Sequence, residues 1–507
     1  MAPVHLGIDL GTSACKAIAV DQRGAVIGTT TRSYPSRNPR AGWSEQDPEQ
    51  WWQATDEATA ELTATLPERG AEVAGIGLCG QMHGLTPLDA EGRVLRPAIL
   101  WNDQRSAPQC TRITELAGGT DGLLQLTGNR MLPGYTGGKI AWMRDNEPHL
   151  HQQLAHVLNP KDYLRYRMSG TLTTDVTDAS GTGLFDVARR RWSDELLDLT
   201  GIDRALLPDV VESPEPTGPV HPELARHWNI PEGTPVHGGG GDAIVQTTAM
   251  GLVAPGAVGI TLGTAGIVAA AHDSCPDNPD GRLQISCGNA PGRWHAMGVS
   301  LSAGGALQWL RNALQPLLGA DQPSYEQLIH HARTTPRGAG GLLFLPYLLG
   351  ERCPHLAPEA TATWIGLTPA HTIGHLARSV VEGVLLNLRA IRDICLDSGI
   401  RCDHVLVSGG ATGHDFWLDL LADVLGTDIT TVTSATEGGA YGAALLSGAG
   451  TGTWPDVERA VALVDTEQTR SPDPSSAAHY DRIFEGHRRL HHDLAHAYAD
   501  TARAGQH

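Results

Sequence analysis

The first residues, His5-Leu-Gly-Ile-Asp9, form a short apolar run that stops at an acid and turns through Gly11. A second run, Cys15 to Val20, and a third, Ala25 to Thr30, follow with the turn Asp21-Gln-Arg-Gly24 between them. Short apolar runs separated by turn residues predict a β-meander. Asp47 to Leu66 places Trp51, Trp52, Ala58 and Leu62 on one face, with Pro48 in the first turn, and predicts a helix. Val73 to Leu78 is strand-like. Near residue 250 the pattern restarts. Gly259-Ile-Thr-Leu-Gly-Thr264-Ala-Gly266 predicts strand, turn and strand, an echo of the opening with Thr261 where Asp9 stood. Val405 to Ala411 predicts a buried strand running into a Gly-rich turn, and Asp415 to Leu425 a helix. Arg470 to Ser476 reads as a loop. After it Tyr480, Ile483, Phe484, His487, Leu490, Leu494 and Tyr498 fall at helical spacing.

That half-chain echo, in 507 residues, suggests two similar domains rather than a short-period repeat. The expected division is 1–247, 248–468, and a loop with a terminal helix over 469–507. Lys plus Arg number 37 against 56 Asp plus Glu, a formal charge of −19. With no basic excess to replace counterions, nucleic acid and an anionic membrane are disfavoured as partners. A small anion remains compatible, because backbone N–H groups can hold phosphate locally. Eight cysteines without a C-x-x-C pair do not make a disulfide framework and read as reduced thiols. The longest apolar stretch, Gly341 to Gly350, is half of what a membrane span needs, and no leader pattern precedes the first strand. A soluble, cytoplasmic protein is expected.

Four turns could carry chemistry. In Asp9-Leu-Gly-Thr-Ser13, Gly11 permits a tight turn and Thr12 and Ser13 add hydroxyls to exposed N–H groups, a cradle for phosphate. Asp9 could hold magnesium through water. Alone this is an ordinary hairpin; the second turn, with Gly263 and Thr264, makes a pair able to grip a nucleotide from both sides. Neither is a Walker A sequence. Val236-His-Gly-Gly-Gly-Gly-Asp242 ends in a carboxylate able to take a proton from an attacking hydroxyl. Ser408-Gly409-Gly410-Ala lets a base and ribose lie on bare backbone, and lacks the G-x-G-x-x-G pattern of a dehydrogenase. Gln81-Met82-His83 follows a strand, where Met82 could pack on a sugar and His83 could donate to its hydroxyl. In the terminal helix, His487/His491 and His492/His496 have metal-ligand spacing. No cysteine completes a site and arginines crowd it, so a solvated face is expected.

In this order the motifs resemble the FGGY family of carbohydrate kinases over nearly the whole chain. Trp43-Ser-Glu-Gln-Asp-Pro-Glu-Gln-Trp-Trp52, Gly80-Gln-Met-His-Gly84, Arg96-Pro-Ala-Ile-Leu-Trp101-Asn-Asp103 and Pro160-Lys-Asp-Tyr-Leu-Arg165 are similar to its bacterial xylulokinase branch. Gly239-Gly-Gly-Asp242, Leu345-Pro-Tyr-Leu-Leu-Gly-Glu-Arg352 and Ser408-Gly-Gly-Ala411 are similar to the wider family. The resemblance implies an α/β fold of two actin-like (ribonuclease-H-like) ATPase domains around a cleft. It implies ATP-dependent phosphorylation of a ketose such as D-xylulose, with ATP and magnesium required and, as among relatives, a homodimer. Asp242 would be the base, Asp9 would lie near magnesium, and Met82, His83 and Trp101 would meet the sugar. Gly11, Thr12, Ser13, Gly263, Thr264, Gly409 and Gly410 would line the nucleotide. One departure bears on the substrate: Ala243 stands where relatives usually carry Asn, removing an amide expected to orient the sugar. Another ketose or polyol, a non-reacting sugar or nucleotide sensor, and an ATPase acting on protein partners are the alternatives.

Overall fold

The computed structural model describes residues 2–67, 70–318, 324–432 and 438–504. Two seven-stranded mixed sheets organise the described residues. The first runs in the order Pro216–Pro219, Pro235–His237, Ala71–Gly80, Ala2–Leu10, Ala14–Asp21, Val26–Ser33, with Gly240–Gly241 joined to Ala71–Gly80. The second runs Gln284–Cys287, Trp294–Ser300, Gly266–His272, Gly256–Leu262, Cys402–Ser408, Ile429–Val432, Thr466–Arg470. The wiring repeats. In each sheet a first strand forms an antiparallel hairpin with the second and lies parallel to a later strand, Ala71–Gly80 or Cys402–Ser408.

The expected meander, the helix (Pro48–Ala64, capped by the Asp47 carboxylate) and the strand over 73–78 all form. So do both strands of the second hairpin and the helix Asp415–Leu425. Two expectations at the C-terminus need correction. The loop over 470–476 is shorter, because Thr466–Arg470 adds an edge strand and the last helix starts at Pro474, where the Asp473 carboxylate accepts from the Ser475 N–H. Its histidines are not all on a solvated face. His487 is buried, and His491 stacks on His355 with ring centroids 3.7 Å apart, because the helix lays that side onto the Leu345–Tyr347 segment. No group of three or more potential metal ligands occurs among the described residues. No helix among them is long and apolar enough to cross a membrane. The eight cysteines are unpaired, six of them buried.

A crossing helix is among the contacts that tie the halves together. The helix Gly438–Gly450 crosses over and packs on the first sheet, not the second. It sits so low that a Cβ at Gly7 would fall 1.8 Å from the Ala440 carbonyl oxygen, and one at Gly77 1.8 Å from that of Ala443. Both strands therefore present bare backbone to the helix. The segment around it is strapped down by Tyr441 Oη donating to the Gly24 carbonyl at 3.0 Å and Trp454 Nε1 to that of Gln22 at 3.2 Å.

Gly7→Ala is expected to lower stability by about 1–3 kcal/mol, the usual cost of overpacking a well-filled interface. Denaturant titration against the parent protein measures it, and an unchanged midpoint would mean the helix can lift freely.

Candidate active site

Asp9 is the penultimate residue of its strand and stands opposite Cys79; Cys79 in turn stands opposite Gly240. Asp242, two residues after Gly240, opens the helix Asp242–Ala249. The central strand thus brings two carboxylates from distant sequence to one sheet end. Each feels the burial. Asp242 is pushed up to about 7 by burial first and the charge of Asp9 second, against hydrogen bonds from the Ala243 and Met82 N–H groups. The Ala243 N–H donates to Asp242 Oδ1 at 2.8 Å. Burial also raises Asp9, with Cys79 and Lys16 pulling the other way. Asp9 Oδ1 is buried with no hydrogen-bond partner. A carboxylate oxygen left bare beside a second carboxylate suits a cation, since either could stay ionised more cheaply with one between them.

Met82 packs so tightly on Gly241 that a Cβ there would come within 2.4 Å of its Cγ. His83 adopts φ 67°, an unusual conformation for a residue with a side chain. Its ring stacks on Tyr135 at 4.6 Å, and Nδ1 lies 2.6 Å from the Gly181 carbonyl oxygen. Burial drives the imidazole down to about 3, so the ring is neutral at physiological pH. A neutral ring facing a carbonyl must carry its proton on Nδ1, which makes Nε2 an acceptor. The expected donation from His83 to a sugar hydroxyl is therefore reversed: the hydroxyl would donate to His83. The His83 carbonyl is fixed in turn by Lys139 Nζ at 2.7 Å and Thr136 Oγ1 at 3.1 Å. Arg352 of the second half exerts its charge on both His83 and Tyr135.

The first turn is braced from beneath. Gln46 Nε2 donates to the Thr12 carbonyl at 2.6 Å, Tyr34 Oη to that of Gly11, and the Gly11 N–H to that of Ala14 at 3.0 Å. Trp101, half-exposed, donates from Nε1 to Thr12 Oγ1 at 3.0 Å. It reaches the Gly11–Ser13 turn itself. Ser13 is exposed at the tip. Gly439, at the N-terminus of the crossing helix, lies against Asp9; a Cβ there would be 2.8 Å from Oδ2.

In the second half a cavity of about 400 Å³ opens between the two Gly-rich turns. Gly263, Thr264 and Gly410 line it, with Tyr325, His414 and Trp417 on its walls. Gly409 is not on the wall. With φ 100°, it lets the turn press onto Leu262, whose carbonyl oxygen would be 2.5 Å from a Cβ. The Gly304 and Gly305 N–H groups are tied to the carbonyls of Gly263 and Thr264 at 2.8 and 3.1 Å, which sets the helix Gly304–Leu318 beside the turn.

Sequence reasoning missed the support beneath Asp242. Lys161, fully buried, lies 2.5 Å from Asp162, 2.8 Å from Asp175 and 3.0 Å from Asp178. Arg165, also buried, pairs with Asp162 at 2.6 Å and donates to the Gly238 carbonyl. Asp175 accepts from Thr177 Oγ1 at 2.6 Å, and that oxygen accepts from the Gly241 N–H at 2.9 Å. Burial and then the neighbouring carboxylates hold Asp178 well above the usual range, with Lys161 opposing. Two cations thus meet three acidic side chains. Lys161 and Arg165 stood in a quoted motif; nothing in their spacing said they would be interior.

Comparison with known proteins agrees with this geometry. Residues 4–251 match the N-terminal domain, and residues 258–450 the C-terminal domain, of the FGGY family of carbohydrate kinases. The chain belongs to that family. It is 39% identical to xylulose kinase of Klebsiella pneumoniae, over 94% of this chain and 96% of that protein. It is 38% identical to xylulose kinase of Escherichia coli, over 97% and 99%. The crystal structure of xylulose kinase from Rhodospirillum rubrum superposes with a TM-score of 0.91 at 31% identity, covering 97% of this chain and 99% of that one. The two sheets are accordingly the paired α/β domains of an actin-like ATPase fold, as expected. Membership makes the protein a sugar kinase, with ATP as co-substrate and a small sugar as acceptor.

Lys161→Met is expected to destabilise the fold by about 3–5 kcal/mol, because it strands buried carboxylates without their cation. Thermal unfolding measures this, and a loss under about 1 kcal/mol would mean the cluster is wet enough to do without it.

Proposed function

We propose that the enzyme transfers the γ-phosphoryl group of ATP to the 5-hydroxyl of D-xylulose, with Asp242 as general base. The observation that carries this reading is the Asp242 carboxylate itself. It sits at a helix start beside Met82 and His83, and burial with Asp9 brings it up to about 7, where a base accepts a proton yet remains largely available. The names of the relatives, xylulose kinases matched over nearly the whole chain, supply the acceptor.

In this reading the first half holds the sugar. A hydroxyl donates to His83 Nε2, Met82 lies against the carbon face, and Asp242 takes the proton of the attacking oxygen. The second half holds the nucleotide, with the purine against Trp417 and Tyr325 and the ribose on Gly410, whose turn is shaped by Gly409. The turns at Gly11–Ser13 and Gly263–Thr264 present N–H and hydroxyl groups to the phosphates from both sides. Asp9, with its unpartnered oxygen, would hold magnesium through water. When bound, that ion neutralises charge on the phosphate chain. Trp101, tied to Thr12, would couple sugar loop to phosphate turn.

Ala243 supports a second reading, a kinase for another ketose, because no amide stands there to select among hydroxyl configurations. Coupled ADP release with magnesium-ATP should favour D-xylulose over D-ribulose, L-ribulose and glycerol; a preference elsewhere in the panel replaces the acceptor and keeps the mechanism. Asp242→Asn is expected to lose about 10²–10⁴-fold in kcat. It should melt no lower than the parent, since it keeps the shape of the acid without a buried charge. The pH dependence follows from the raised carboxyl. The base works only when ionised, so kcat/KM should fall about tenfold per pH unit below about 7. The native state holds this proton more tightly than the unfolded chain, so the contribution of Asp242 to stability declines as pH rises from about 4 to about 7. A flat rate profile between pH 5 and 8 would remove Asp242 as the base.

A further inference from the structure

A second cavity, about 560 Å³ and larger than the one assigned to the nucleotide, lies in the second half and shares no wall with it. Its walls come from four places: the segment around Asp280–Arg282, the turn Pro354–Leu356, the end of the helix Ile373–Asp397, and the C-terminal helix at Phe484–His492. Arg130, from the first half, closes one side.

The lining runs against the character of the chain. In a protein of formal charge −19, Arg130, Arg282, Arg488 and Arg489 converge on this one space with three histidines. Three aspartates share it. One of them, Asp393, is already matched by Arg392 at 2.7 Å, and Asp280 is 4.0 Å from Arg282, beyond hydrogen-bond reach. Arg488 leans on Glu485 at 3.2 Å, an exposed pair that contributes little. Two atoms on these walls lack partners: Arg282 Nε and His491 Nδ1 are buried without a hydrogen bond. His491 is stacked face to face on His355, 3.7 Å apart and 3° from parallel, which presets the two rings against each other. Four guanidinium groups at the rim and two unpartnered buried nitrogens around a space of about 560 Å³ form a donor set that suits a phosphate monoester.

We propose that this cavity is an effector site for a small phosphorylated anion, and that its occupancy is felt at the sugar site. The connection is one short loop. Glu351 is buried and pinned by Ser300 Oγ and Asn387 Nδ2, both at 2.8 Å, and by the Leu301 N–H at 3.0 Å. The residue after it, Arg352, acts electrostatically on His83 and Tyr135; the residues three and four further on, His355 and Leu356 after Pro354, wall the cavity. A second link crosses the halves, where Asn129 exchanges hydrogen bonds with Ile285 at 2.7 and 2.9 Å and Arg130 Nε donates to the Asp280 carbonyl at 2.7 Å. A ligand drawing Arg130 and Arg282 together acts on the junction that domain motion must flex.

The test is calorimetric titration of the intact enzyme with inorganic phosphate and, separately, with D-ribose 5-phosphate. The parent, Arg282→Gln and Arg489→Gln are compared. One equivalent is expected to bind the parent at least tenfold more tightly than either variant; preference for the ester over inorganic phosphate identifies a sugar phosphate as the source, and the reverse identifies the free ion. With the same anion present, KM for the acceptor should move at least twofold in the parent and not in the variants, while all three share the same kcat and KM without it. Heat that survives both substitutions, no binding in the parent, or an unmoved KM overturns the proposal. The binding arm needs no turnover, so it stands apart from the choice of D-xylulose as acceptor.

Discussion

A lysine with no exposed surface, Lys161, sets the terms for the catalytic half. An ammonium group taken out of water survives only if carboxylates surround it, and Asp162, Asp175 and Asp178 do so within 3.0 Å. Those carboxylates must themselves be anchored, and their anchors are the parts of the site. Arg165 reaches from the cluster to the Gly238 carbonyl, and Asp175 acts through Thr177 on the Gly241 N–H. On the other side, Lys161 lies under Gly80, where a Cβ would be 2.9 Å from its own, at the end of the strand that leads into Met82 and His83. Asp242 and the Met82–His83 loop are thus fixed against one charged core. A side chain that moves in this cluster moves both.

The two halves show how one hairpin can be put to different uses. Each brings a Gly-Thr turn to the mouth of the cleft from the end of its first strand. In the first half the penultimate residue of the strand is Asp9, an acid raised by burial. In the second half Thr261 stands in its place and merely shares a hydrogen bond of 3.1 Å with Ser408. Repetition supplied the cradle twice, and the single acid gave the cleft its polarity: a charged side that suits metal and reacting oxygen, and a neutral, aromatic side that suits a base.

Much of the frame was legible because it is local. Strands of six to ten residues with alternating turns, and a helix start such as Asp47-Pro48, announce themselves in a short window. So did the glycines at 11, 263, 409 and 410, and the acid after four glycines at 242. What could not be read was long-range. The helices between residues 107 and 200 carry Tyr135, Lys139 and Lys161, and no periodicity shows that two lysines in polar helices are interior. The direction of the His83 hydrogen bond depends on Gly181, nearly a hundred residues away. The crossing helix is Gly- and Ala-rich, a composition that reads as featureless until it is placed on the backbone of Gly7 and Gly77. The terminal helix is legible in its spacing, while the burial of His487 and the stacking of His491 on His355 depend on what lies beneath it.

The crossing helix also fixes an order of events in the life of the chain. His5 and Ser447 lie within 3.4 Å of each other although they are 442 positions apart in the chain. A ribosome adding roughly 5–20 residues per second needs roughly 20–90 s to travel from one to the other. The first sheet receives its last strand only at Gly240–Gly241, and from then until the helix at Gly438 emerges the face over Gly7 and Gly77 lacks its cover. The first half therefore closes only when the second is nearly complete.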